Sequence, residues 1–118
     1  MGNLNPTEAG DIKSQLPLRY GDVTVTAYVI FQGEITNSED YEAYKPLAGA
    51  SVEAHGGRYL VRGGKFIALE GEAPSSRTVI LEFDSMKAAS GWYESSDYAI
   101  AKQIRQRASE GSLYIIEG

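Results

Sequence analysis

The ten residues His55-Gly56-Gly57-Arg58-Tyr59-Leu60-Val61-Arg62-Gly63-Gly64 constrain the fold more than any other stretch of the chain. Two Gly-Gly pairs bracket a five-residue strand pattern. The first pair fits the end of a helix, because glycine adopts the left-handed conformation that closes one. The second fits a turn, because a tight hairpin needs positive φ at its centre. The same stretch holds the only histidine and two arginines, so unusual polar groups meet the sheet here.

The rest of the chain is read around this junction. Val23–Ile35 alternates with period two. Val25, Ala27, Val29, Phe31 and Ile35 fall on an apolar face, and Thr24, Thr26, Tyr28, Ile30, Gln32 and Glu34 on a mixed one. Asn37 is placed as an N-cap with Asp40 three residues on. Tyr41, Tyr44, Ala48, Val52 and His55 recur at helical spacing to the end of that helix, and Pro46 predicts a kink or break near Lys45. Arg58–Arg62 and Lys65–Glu70 are expected to pair as strands across Gly63-Gly64. Arg77–Phe83 is a further strand, with Val79, Leu81 and Phe83 on one face and Thr78, Ile80 and Glu82 on the other. Asp84 or Ser85 caps a helix to about Glu94. Ser95 or Ser96 caps another to about Glu110, with Gly111 as its stop, before a last strand Leu113–Glu117. The order β-α-β-β-α-β predicts an α+β, ferredoxin-like domain over residues 23–118, an antiparallel sheet with helices on one face. Met1–Asp22, polar and punctuated by proline and glycine, is expected to be an extended N-terminal arm.

Composition narrows the function classes. The 118 residues carry a net charge of −5, which argues against a nucleic-acid partner, since phosphate binding needs a basic face. One Arg-Gly-Gly triplet between strand-like runs is a turn, not an RNA-binding tract. The chain has no cysteine, which excludes disulfides and thiolate metal sites, and a cytoplasmic setting fits. The first residues lack a basic n-region and an apolar h-region, so no signal peptide is expected. No apolar run suits a membrane span. With no GxGxxG, P-loop, G-x-S-x-G or ligand-spaced histidines, no metal or cofactor is expected.

The mixed sheet face poses the functional question. It carries Tyr28, Ile30, Gln32, Thr78, Ile80 and Glu82. Strand parity adds either Arg58, Leu60 and Arg62 or Tyr59 and Val61. The arginine set is assigned to it here, because Tyr59 and Val61 suit the apolar side. Left bare, such a face would be an exposed apolar patch, and isologous pairing with a second copy would cover it.

The segments AYVIFQGEITNSEDYEAYKPLAGASVEAHGGRYLVRGG and LEGEAPSSRTVILEFDSMKAASGWYESSDYAIAK resemble the bacterial family called domain of unknown function 1330. The sharpest pieces are His55–Gly64, Leu81-Glu82-Phe83, Trp92-Tyr93, Ser95 or Ser96, and Tyr98. The resemblance runs from about Ala27 to Gly118 and leaves out the N-terminal arm. It implies a ferredoxin-like monomer that forms a dimeric α/β barrel, and it implies no reaction.

His55 is the candidate catalytic base, with stabilisation of a helix C-terminus as the alternative. Arg58 and Arg62 are candidate anion ligands, since a guanidinium fork suits planar anions, with an ion pair to Glu82 as the alternative. Trp92, Tyr93, Tyr28, Tyr41 and Tyr44 can line an aromatic pocket or serve as core and interface. The candidate ligand-binding set is Arg58, Arg62, Tyr28, Glu82, Trp92 and Tyr44. The leading expectation is a homodimer that binds a small acidic or aromatic molecule in a dimer-supported pocket. A cofactor-independent enzyme, monooxygenase- or isomerase-like with His55 as base, and a non-catalytic interaction module are the alternatives.

Overall fold

A computed structural model of the protein describes residues 25–118. The expected arm Met1–Asp22 and the start of the first strand at Val23 lie outside the described residues. The elements are β1 (Ala27–Ile35), α1 (Ser38–Ala54), β2 (Arg58–Arg62), β3 (Arg77–Phe83), α2 (Met86–Glu94), α3 (Ser96–Ala108) and β4 (Ser109–Glu117). The sheet order is β2-β3-β1-β4 and each neighbouring pair is antiparallel. This is the ferredoxin-like α+β arrangement.

The alternation seen in the sequence builds the core. Ala27, Val29 and Phe31 of β1 turn toward the helices, opposite Phe83, Leu81 and Val79 of β3. Ala48 and Val52 of α1, Ala89 and Trp92 of α2, and Tyr98 and Ala101 of α3 close over them. Trp92 lies 4.2 Å from Tyr98 and 5.6 Å from Phe83, centroid to centroid. Its indole N–H donates to Ser51 Oγ at 2.9 Å, and Ser51 donates to the Ala48 carbonyl at 2.8 Å, so burial leaves no orphan donor there.

The junction at His55 is built as its glycines require. His55 is the C-cap of α1, and Gly56 takes a φ of 77°. Gly56 N–H donates to Glu53 and Gly57 N–H to Val52, which satisfies the last carbonyls of the helix in a Schellman motif. A Cβ on Gly57 would run into the Phe83 ring, so the second glycine serves close packing. Asn37 caps α1 through the Asp40 N–H. At the alternatives left by the sequence, Ser85 caps α2 and Ser95 caps α3.

Several expectations are corrected. α1 runs through Pro46 without the expected break. A proline inside a helix costs about 3 kcal/mol, and burial of Tyr41, Ala48 and Val52 along one side offsets it. Lys65–Glu70 is not a strand. β3 takes the place beside β2, because Leu81 and Phe83 bury on a single face, whereas Phe66, Ile67 and Leu69 spread over both sides and stay exposed. α3 ends at Ala108, not Glu110, and β4 begins at Ser109. Gly111 is no helix stop. It crosses Gly33 of β1 so closely that a Cβ would strike the neighbouring backbone. Val25 precedes β1 and is 40% exposed rather than part of an apolar strand face. Among the described residues no helix is long and apolar enough to cross a membrane.

β2 also departs from simple parity. Arg58 pairs with Glu82 and Tyr59 with Leu81, but Val61 then pairs with Ile80 and Arg62 with Val79. Leu60 is the extra residue of a β-bulge. Arg58 therefore keeps to the open face as expected, while Arg62 joins Tyr59 on the helix-covered face.

Candidate functional site

That bulge assembles a cleft between the helix-facing side of the sheet and the helices. Val29, Phe31, Val79, Leu81 and Leu113 form its floor, and Tyr41 and Tyr44 of α1, Tyr59 of β2 and Trp92 of α2 wall it. Arg62, Arg77 and Arg105 enter from β2, β3 and α3, and Lys45 from α1. The cavity is narrow, about 30 Å³. It shares Val29, Trp92 and Leu113 with a wider hollow of about 320 Å³, completed by Tyr93, Tyr114 and Ile115.

The polar groups of the cleft are ordered by tyrosines. Arg77 Nε donates to the Tyr41 hydroxyl at 3.1 Å, and its guanidinium carbon lies 5.2 Å from that ring's centroid. Arg105 Nε donates to the Tyr98 hydroxyl at 3.1 Å, and the Tyr98 and Tyr44 hydroxyls are 2.9 Å apart. Arg62 stacks on Tyr59 at 4.1 Å. Lys45 is bridged to Glu42 at 2.8 Å. Among the described residues, Arg62, Arg77 and Arg105 meet no carboxylate within salt-bridge distance.

Protonation follows from this setting. Burial pushes the Tyr44 hydroxyl far above the usual tyrosine range, and its neighbour Tyr98 adds to the effect. Burial raises Tyr59 as well. Burial opposes the charge on Arg105, but the attraction and hydrogen bond of Tyr98, reinforced by Tyr44, raise its pKa above the ordinary guanidinium value. The cleft thus sets its arginines among tyrosines, of which Tyr44 and Tyr59 hold their protons more tightly than usual.

The structure divides the residues singled out in the sequence. Arg62, Tyr44 and Trp92 meet in the cleft. Arg58 and Glu82 form an ion pair on the open face, and Tyr28, paired across from Glu82, shares that face. His55 stands apart from both, with Nε2 3.0 Å from Asp97 Oδ2. Arg77, Arg105, Lys45 and Tyr59 were not among the candidates. For two of them the sequence carries a signal. Arg77 has the parity of Val79, Leu81 and Phe83, and Arg105 falls at helical spacing with Tyr98, Ala101 and Ala108. Each is a lone charge on an otherwise apolar face. Among the described residues no three His, Cys, Asp or Glu side chains are grouped to hold a metal ion.

The family described as a domain of unknown function, DUF1330, matches residues 26–118. The chain belongs to the DUF1330 family. No protein of curated function matches it. The DUF1330 chain is similar to the crystal structure of RPA0582, a protein of unknown function from Rhodopseudomonas palustris. That match has 20% identity and a TM-score of 0.66, over 100% of this chain and 98% of that one. Methylated RPA0582 gives 21% identity and the same TM-score of 0.66, over 99% and 95%. SnoaB, a cofactor-independent oxygenase from Streptomyces nogalater, matches at 10% identity and a TM-score of 0.50, over 80% of this chain and 91% of that one. At these identities the likenesses show the fold alone, the ferredoxin-like α+β arrangement.

Proposed function

We propose that this DUF1330 protein binds a small acidic, aromatic molecule in the cleft between sheet and helices, and that it does so as a homodimer joined through the open sheet faces. The observation that carries the binding reading is the convergence of Arg62, Arg77 and Arg105 on an aromatic-walled cleft, with no carboxylate to neutralise them among the described residues. Guanidinium forks recognise planar oxyanions, and tyrosine and tryptophan walls suit a flat body. The homodimer is supported by the open face, where Leu60, Tyr114 and Ile116 are 46–49% exposed beside the Arg58–Glu82 pair.

Trp92 is the only tryptophan and lines the cleft, so its fluorescence reports occupancy. Titration with benzoate and related aromatic acids is expected to give saturable quenching, with no response to the neutral benzamide and a weakened response in Arg77→Gln. Absence of saturation with every acid defeats this reading. The enzymatic alternative, built on His55 as base, gains less support, because His55 pairs with Asp97 away from the cleft.

A further inference from the structure

We infer that the head group taken by this cleft is a dianion, either a phosphate monoester or two adjacent carboxylates, carried on an apolar body. The inference rests on the proposed binding site and adds the charge and shape of its ligand.

Charge gives the first argument. Arg62 pairs with Val79 across the β2–β3 ladder, and Arg77 lies two residues from Val79 on the same face. The two guanidiniums are therefore diagonal neighbours, a repulsive placement unless an anion bridges them. Arg105 is 8% exposed and sits over Phe31, which pairs with Val79 from the other side. Three cations thus surround one point of the sheet. Arg62 is exposed at the mouth and Arg77 is half-buried, so a monocarboxylate that neutralised one of the inner pair would leave the other, Arg105 or Arg77, without an anion away from bulk water, where unpaired charge is costly. A dianion neutralises both.

Donor geometry gives the second. Arg77 and Arg105 each spend Nε on a tyrosine hydroxyl. What remains on each is the end-on pair of Nη groups, the fork that grips two oxygens at once. Several forks around one head suit an anion with three or more acceptor oxygens better than a single carboxylate with two.

Shape gives the third. The basic cavity, narrow at about 30 Å³, opens beside a hollow of about 320 Å³ walled by Trp92, Tyr93 and Leu113, which is of a size for a small apolar body. The second glycine pair of the sequence takes part in this arrangement. Gly63 has a φ of 77°, and the Arg77 guanidinium occupies the space where its Cβ would be.

The test is Trp92 fluorescence titration of the full chain with benzoate, phthalate and phenyl phosphate, with inorganic phosphate as competitor. The measurement is made near pH 7.5, above the second phosphate pKa of about 6. A dianion is expected to bind at least about tenfold more tightly than benzoate, the worth of one further charge-assisted hydrogen bond. That preference should shrink toward unity in Arg62→Gln and in Arg77→Gln, with Arg62→Lys and a circular-dichroism check guarding against loss of fold. Tight binding of phenyl phosphate alone identifies a phosphate ester, and tight binding of phthalate alone a dicarboxylate; either outcome supports the inference. Benzoate binding as tightly as both dianions overturns it and leaves the site standing. Failure of all three to bind removes the site itself.

Discussion

On the open face of the sheet Arg58 meets Glu82, whereas on the helix-covered face Arg62, further along the same strand, meets no carboxylate among the described residues. The contrast extends across each face. The open side collects isoleucines, Tyr28, Tyr114 and one satisfied ion pair, the makings of a contact surface. The covered side collects three arginines whose described neighbours are tyrosines and apolar groups. One residue type thus has two different partners, and the bulge at Leu60 decides which arginine goes where. A charge with a protein partner is structural by default, and a charge beside a cavity without one is the better pointer to a ligand.

The largest expected effect separates the faces by stability. Trp92→Ala removes the aromatic centre of the covered face and should cost about 3–5 kcal/mol in urea unfolding. Tyr114→Ala on the open face should cost no more than about 0.5 kcal/mol in a monomer, as for other exposed positions. A larger, concentration-dependent loss for Tyr114→Ala would show that the open face is buried against a second copy.

The next effect concerns assembly. Ile116→Asp places an uncompensated carboxylate between the proposed paired sheets, at a cost of several kcal/mol. Light scattering is expected to show a monomer that keeps its ligand affinity within about twofold, since surface changes remote from a site add independently. A variant that remains dimeric would move the pairing surface elsewhere, with the exposed Phe66-Ile67-Ala68-Leu69 run as the next place to look.

A smaller effect tests the cleft from its edge. Gly63→Ala should cost about 1 kcal/mol for its left-handed backbone and also displace the Arg77 guanidinium. Titration should then show weakened acid binding, while Arg58→Gln, which touches only the open face, leaves that binding unchanged. Equal losses in both would erase the distinction between the two faces.

How much of this was legible in the sequence depends on the kind of signal. Strands whose apolar residues share a face, β1 and β3, were legible, as were the caps at Asn37 and the glycines after His55, because each rests on local chemistry. The position of Arg62 was not, because a bulge shifts parity without leaving a mark in composition. Lys65–Glu70 reads as a strand by residue type, yet β3 outcompetes it through long-range burial that no local pattern reveals. Arg77 and Arg105 were legible in principle, since each breaks an apolar face. Their meeting was not, because it depends on how α3 lies over the sheet.

The smallest effect lies at the rim of the open face. Glu34 accepts a hydrogen bond from the Ser76 hydroxyl at 2.8 Å and another from the Ser76 N–H at 3.0 Å. These bonds, the hydroxyl first, hold its carboxyl below the usual range. Its folded pKa is depressed, so the contribution is present above the unfolded value and is lost as pH falls through the folded one. Ser76→Ala should therefore be slightly less stable than the parent chain near neutrality, a difference that shrinks as pH falls through the Glu34 pKa and vanishes in the Glu34→Gln background, read by urea unfolding at a series of pH values. The cleft should behave otherwise. A guanidinium does not titrate in acid, so a fall in ligand affinity on acidification should follow the pKa of the ligand and be the same in Ser76→Ala. If the serine variant also shifted the pH dependence of binding, the open rim and the covered cleft would be coupled rather than separate.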